Sequence, residues 1–122
     1  MATGTIDAQE IGNGSGPITL TKQSAAKAFL SVDMNANATA SENISSVTDV
    51  GTGSFQGNYT TSFTNNSYNA VTGLYTTSNN RYAKYDSRLA ASLRIETDQQ
   101  ISQGIETSIT DVSFVAFGDL AT

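Results

Sequence analysis

Residues 43–63 constrain the fold more than any other stretch of this 122-residue chain. The segment reads NISSVTDVGTGSFQGNYTTSF, with apolar or aromatic residues at near-alternating positions on both sides of a loop that contains Asp and Gly. Such alternation is typical of half-buried strands. Because glycine accepts a positive φ and Asp can bond its own backbone, residues 49–53 are predicted to form the loop of a β-hairpin, slightly longer than the two-residue minimum.

The composition extends this expectation to the whole chain. Ser, Thr and Asn make up about a third of the residues, and their side chains compete for the backbone hydrogen bonds of a helix. Period-two patterns predict further strands over residues 27–33, 68–76 (with Gly73 as a possible bulge), 87–97 and 108–118. Residues 87–97 also fit helical spacing, and the β context favours a strand there. The polar segments between these runs, 34–42, 77–86 and 98–107, are predicted to be loops.

These elements predict a single all-β domain over residues 24–122, an antiparallel β-sandwich or flattened barrel of about six strands. Residues 1–23 are expected to form an extended N-terminal docking arm instead. Their Gly-rich middle, residues 12–17, includes the only proline and cannot hold a regular element. Within the arm, residues 18–21 alternate and are compatible with a short strand.

The predicted last strand is apolar on both sides. Phe114 shares one face with Val112 and Ala116, whereas Val115 and Phe117 share the other. A strand with two apolar faces is either central in a sheet or buried in a subunit interface. Phe114, Val115 and Phe117 are therefore candidates for contacts in a homo-oligomer.

Charge and hydropathy exclude two classes of partner. Charged residues are 14% of the chain, its net charge is −5, and no basic run could follow a phosphate backbone. No apolar segment approaches the roughly 20 residues that cross a bilayer. Neither nucleic-acid binding nor membrane insertion is expected.

The residue types that are absent argue against catalysis. Without His or Cys, the chain lacks the Ser-His-Asp and Cys-His nucleophile systems and the usual zinc ligands. Glu96 and Asp98 would share a face of a strand, near the spacing of a glycosidase carboxylate pair, although exposed acids at strand ends are far commoner. Asp33 or Asp98 could offer oxygen to a hard cation, but no calcium-type loop is present. The chain is predicted not to be an enzyme and to hold no metal or cofactor.

The strongest binding candidate lies in residues 79–85. Tyr82 and Tyr85 offer apolar ring faces with a polar tip, while Asn79, Asn80 and Arg81 offer hydrogen bonds. Sugars and protein surfaces are both bound by that mixture. The alternative is a solvated turn whose tyrosines cover the edge of the core.

Several short motifs occur at residues 20–29 (LTKQSAAKAF), 43–49 (NISSVTD), 51–53 (GTG), 59–60 (YT), 63–64 (FT) and 112–119 (VSFVAFGD). Their order resembles that of the small β-rich module of bacteriophage tail fibres and related virion appendages. The resemblance implies a surface-exposed structural protein of the virion that acts in host attachment, a homotrimer, and a glycan or protein of the host surface as receptor. A capsid decoration protein remains the alternative, and a polysaccharide-degrading enzyme is a disfavoured third reading.

The arm, residues 1–23, is expected to contact other virion proteins, because a polar, Gly-rich terminus orders only when something holds it. The alternative is an arm that folds back on its own domain.

Overall fold

A computed structural model describes residues 26–99, 105–106 and 108–121. None of these residues is helical, and they form eight strands, which confirms the all-β expectation. The predicted arm, with its short strand at residues 18–21, lies outside the described residues. The strands are β1 (Ala28–Asp33), β2 (Ala38–Glu42), β3 (Ile44–Gly51), β4 (Ser54–Tyr59), β5 (Asn69–Thr76), β6 (Arg81–Leu89), β7 (Ser92–Gln99) and β8 (Ile109–Phe117).

The strands form two four-stranded antiparallel sheets that pack face to face. The order is β2-β1-β8-β5 in the first sheet and β3-β4-β7-β6 in the second. Two of the connections between the sheets join edge strands: β2 to β3 on one side of the sandwich and β5 to β6 on the other. This is the predicted β-sandwich. The two apolar faces of residues 109–117 are explained in part by the position of β8 inside the first sheet.

The core lies between the inner faces of the two sheets. Alternation along the strands buries every second side chain there. Near one end of the core, Tyr59 makes edge contacts with three other rings, at centroid distances of 5.0 to 6.4 Å, and Phe63 stacks on Tyr68 at 4.1 Å. The buried strand residues include Ala28, Leu30, Val32, Phe55, Leu93, Ile95, Val112, Phe114 and Ala116.

Two tyrosine hydroxyls form a chain of hydrogen bonds inside this core. The Tyr59 hydroxyl donates to the Tyr68 oxygen at 2.9 Å, and the Tyr68 hydroxyl donates to the carbonyl oxygens of Leu89 at 3.0 Å and Ser92 at 3.1 Å. Burial raises the pKa of both phenols above the ordinary value, and for Tyr59 the bond to Tyr68 raises it further. The network ties the β6–β7 turn to the aromatic cluster.

Asn43 makes the bend that carries the chain from β2 in one sheet to β3 in the other. Its φ is 58°, a left-handed conformation that Asn tolerates better than most residues. Its side chain accepts a hydrogen bond from the N–H of Thr61 at 2.7 Å and donates to the carbonyl oxygen of Thr61 at 2.9 Å. The bend is thereby fixed to the chain that follows β4.

The β3–β4 hairpin is tighter than predicted. Pairing continues to Gly51 and Ser54, so only Thr52 and Gly53 form the turn. Gly53 has a φ of 67°, and a Cβ added there would lie 2.6 Å from the carbonyl oxygen of Ile105. Positive φ and the close backbone approach both require glycine at this position.

The estimate of about six strands missed two elements. β2 lies in the segment 34–42 that was predicted to be a loop, and all five of its residues are exposed. Its sequence, ATASE, has no apolar alternation that could reveal it. The predicted strand over 87–97 is instead the end of β6, a turn at Ala90 and Ala91, and β7.

Two local predictions need correction: the predicted loop 98–107 begins later than expected, and the possible bulge at Gly73 lies elsewhere in β5. Of the predicted loop 98–107, residues 98–99 belong to β7, and residues 100–104 and 107 lie outside the described residues. Gly73 pairs regularly with Ser113, and the irregularity in β5 falls between Tyr75 and Thr76 instead.

Candidate binding site

The described chain begins and ends at the same end of the sandwich. Ala26 shortly precedes β1, whose first residue pairs with Ala116 near the end of β8, and Leu120 forms a bridge with Phe63. We call this the root end. The turn at residues 77–80 lies at the opposite end, because β5 runs from the root toward it alongside β8. We call that the tip end.

Hydrogen bonds from the flanking residues hold the turn at 77–80. The Thr76 hydroxyl accepts from the N–H of Ser78 at 3.1 Å and donates to the carbonyl oxygen of Ser108 at 2.8 Å. Asn80 takes a left-handed φ of 64°, which closes the turn. The side chains of Asn79 and Asn80 are left exposed at the tip end.

The structure separates the two predicted tyrosines. The predicted loop 77–86 is a four-residue turn followed by β6, so Arg81, Tyr82 and Tyr85 are strand residues. Tyr82 pairs with Asp98, whereas Tyr85 pairs with the core residue Ile95. An odd separation along a regular strand places Tyr82 on the outer face of the second sheet and Tyr85 on the inner side of its edge.

Tyr85 therefore belongs to a different environment from the tip. The Arg88 guanidinium lies 5.8 Å from its ring centroid and 5.7 Å from that of Tyr68, within the range of cation–π attraction. The structure brings Asn79, Asn80, Arg81 and Tyr82 together as one continuous segment, and leaves Tyr85 further along β6.

Sequence reasoning missed Tyr75 as a binding candidate. It lies two residues before the turn and is 61% exposed, while Tyr82 lies two residues after the turn and is 47% exposed. Tyr75 pairs with Asp111 on the outer face of the first sheet. A tyrosine on each side of an Asn-rich turn was the signal available, but Tyr75 was assigned only to a strand pattern.

A second loop at the tip end is ordered by its own carboxylate. Asp33 accepts hydrogen bonds from the N–H groups of Asn35 and Asn37, each at 2.9 Å, and from the Asn37 side chain at 3.1 Å. These bonds, chiefly those from Asn37, lower the pKa of Asp33. Among the described residues, no group of three or more acidic side chains is placed to hold a metal ion.

Glu96 and Asp98 are engaged by a single ammonium group. The Lys84 Nζ lies 2.7 Å from Asp98 Oδ2 and 3.5 Å from Glu96 Oε2. The Asp98 side chain is fully buried, and its hydrogen bond with Lys84 is the main reason why the pKa of Lys84 is raised. The arrangement is an ion-pair cluster on the face that carries Tyr82, in which Lys84 bridges the two acids.

The candidate oligomer residues divide between the two faces of β8. Phe114 is buried in the core and is not available to another subunit. Val115 and Phe117 lie on the outer face of the first sheet. Phe117 also borders a cavity of about 380 Å³ at the root end, whose wall includes Phe63, Tyr68, Asn69 and Asp119.

Comparisons with protein families, with curated proteins and with solved structures find no match to this chain. In the part of the chain that the structure describes, no helix is long and apolar enough to cross a membrane.

Proposed function

We propose that this chain is a structural protein of a bacteriophage particle, exposed on its surface as a tail-fibre-type appendage, and that it acts in host attachment and not as an enzyme. One observation supports this proposal above the others. The first and last described residues of the sandwich lie at the root end, so the exposed turn at 77–80 lies at the end opposite to both. A rigid sheet that carries a polar, aromatic turn at such an end is a common arrangement for recognition.

The motifs that resemble the phage module support a scaffold role for the rest of the domain. Asn43 fixes the bend between sheets, and Gly53 forms a turn that no larger residue fits. Residues 112–117 belong to β8, inside the first sheet. The turn at 77–80 lies outside all these motifs, as expected if the scaffold is shared and the recognition turn is particular to this chain.

The proposed receptor is a glycan or protein of the host surface, bound at Asn79, Asn80, Arg81 and Tyr82. Tyr75 is also exposed near the turn, but on the outer face of the other sheet. Exposed tyrosines present a flat ring and a hydroxyl with few side-chain torsions to immobilise. The amides and the guanidinium supply directional hydrogen bonds. Residues 1–23 are proposed to contact other virion proteins, and the assembled state is proposed to be a homo-oligomer, with a trimer favoured by the resemblance.

Adsorption competition tests this proposal. Purified protein is expected to reduce the adsorption of the parent phage to host cells. Replacing Tyr82 with Ala should weaken competition about 5- to 30-fold, which corresponds to about 1–2 kcal/mol for a contact aromatic. The matched control is Tyr85→Ala, because Tyr85 is 39% exposed but lies away from the turn.

Two results would count against the proposal. If the wild-type protein does not compete at all, capsid decoration becomes the better reading. If Tyr82→Ala and Tyr85→Ala compete as well as the wild type, the turn is a solvated connection and not the receptor site.

A further inference from the structure

The outer face of the first sheet changes character along its strands. At the root end, Phe29, Val115 and Val71 lie in register across β1, β8 and β5, and Phe117 follows two residues along β8. We call these four residues the apolar stripe. Val71 is 62% exposed, and none of the four is among the described residues that pack on the core.

The same face becomes small and then acidic toward the tip end. The next row contains Ser31, Ser113 and Gly73, and the row after it contains Asp33, Asp111 and Tyr75. Carboxylates directly opposite each other on neighbouring strands are unfavourable. At the root end this face is therefore suited to close contact with another copy. At the tip end, the carboxylates of two copies would repel each other.

Among the described residues, the outer face of the second sheet carries ion pairs and no such row. Lys84 pairs with Asp98 and Glu96, and Arg94 pairs with Asp86. Its exposed Tyr82 and Leu89 lie at opposite ends of β6. In a chain that is only 38% apolar, a continuous row of partly exposed apolar residues on the outer face of one sheet marks an interaction surface.

We propose that the apolar stripe is the surface at which copies of this chain associate, with the stripes of neighbouring copies packed against each other around the symmetry axis. The proposal deepens the proposed function, since it assigns the surface of the homo-oligomer. Glu42 lies beside Phe29 in register, and Lys27 directly precedes β1. Charges of both signs thus border an uncharged centre, which makes the surface complementary to another copy of itself.

The row of small residues beside the apolar stripe lets the first sheets of two neighbouring copies approach closely. Gly73 has no side chain, and a Cβ at that position would meet the Ser113 hydroxyl at 2.7 Å. A glycine inside a strand often marks a site where another backbone approaches. Beyond this row, Asp33 and Asp111 of each copy repel those of the next. The copies are therefore joined at the root end and diverge toward the tip end, which leaves the turn at 77–80 accessible.

Light scattering on the full-length chain, coupled to gel filtration, tests the proposal. The wild type should have a mass of at least two copies of the 12.8 kDa chain. Val71→Asp should shift that mass to the monomer value by placing a charge in the stripe. Val71→Lys should do the same, which separates loss of apolar contact from simple repulsion between acids. The matched control is Val50→Asp, because Val50 is 44% exposed but lies on β3 of the other sheet.

Cross-linking gives an independent readout, since the chain has no cysteine of its own. Under mild oxidation Val71→Cys should form disulfide-linked dimers of the chain, while Val50→Cys should stay monomeric on a denaturing gel. The proposal is overturned if the wild type is monomeric at high concentration, as it would be if residues 1–25 of the same chain cover the stripe. It is also overturned if Val71→Asp assembles like the wild type, or if Val50→Asp dissociates equally. Such results would leave the adsorption test of the proposed function unaffected.

Discussion

Removal of the Tyr68 hydroxyl should destabilise the domain more than removal of the Tyr59 hydroxyl. In Tyr59→Phe, one donor is lost, and Tyr68 still donates to the carbonyls of Leu89 and Ser92. The expected cost is about 1 kcal/mol, as for an ordinary internal hydrogen bond. In Tyr68→Phe, those two carbonyls lose a donor and the buried Tyr59 hydroxyl loses its acceptor. The expected cost is about 2–3 kcal/mol, because a buried donor is left unsatisfied.

The double variant, Tyr59→Phe with Tyr68→Phe, distinguishes the cost of an unsatisfied buried donor from the cost of losing two polar atoms. With Tyr59 already changed to Phe, no orphaned donor remains, so the double variant should be more stable than Tyr68→Phe alone, by about 1 kcal/mol. Urea unfolding followed by far-ultraviolet circular dichroism measures the three free energies. Each 1 kcal/mol should also lower the Tm by about 4 °C in a domain of this size. Equal costs for the two single variants, or additive costs in the double variant, would refute the reasoning.

Three further predictions follow from single contacts. Asn43→Ala should cost about 2 kcal/mol, because two hydrogen bonds to Thr61 and a residue suited to positive φ are lost; Asn43→Gly, which keeps the φ, should cost less in the same urea assay, and equal costs would contradict this. Gly57→Val should cost about 1–3 kcal/mol by overpacking, since a Cβ there already lies 3.0 Å from Leu30 Cδ2; an unchanged urea midpoint would count against it. The free energy of unfolding should fall above about pH 10, by up to about 1.4 kcal/mol per pH unit for each buried phenol. The reason is that the pKa values of Tyr59 and Tyr68 are raised in the folded state, so only the unfolded chain ionises near pH 10. A stability that stays constant from pH 9 to 11 would contradict this.

The fold was predictable where apolar residues alternate. β1, β4 and β8 bury every second residue in the core, and period-two patterning in the sequence shows that directly. β2 was not predictable, because its five residues are all exposed and are held by pairing with β1 and not by burial. An edge strand of this kind has no hydrophobic pattern to detect.

The position of the turn was predictable, but the geometry of the candidate site around it was not. The predicted loop 77–86 contains the observed turn at residues 77–80. Which tyrosines could act together depended on where β6 begins, and an exposed strand of mixed polar and aromatic residues resembles a loop in sequence. The start of β6 at Arg81 places Tyr85 on the opposite side of the strand from Tyr82. The other exposed tyrosine near the turn, Tyr75, lies on the outer face of the first sheet.

The orientation of the sandwich on an intact particle tests the central claim most directly. Electron cryomicroscopy of phage particles that contain the chain, at a resolution that allows the sandwich to be fitted, would supply this measurement. We predict density on a tail appendage, with the root end toward the particle and the turn at 77–80 pointing outward. A sandwich that lies on the head shell, or one whose tip end is buried against other virion proteins, would contradict the account.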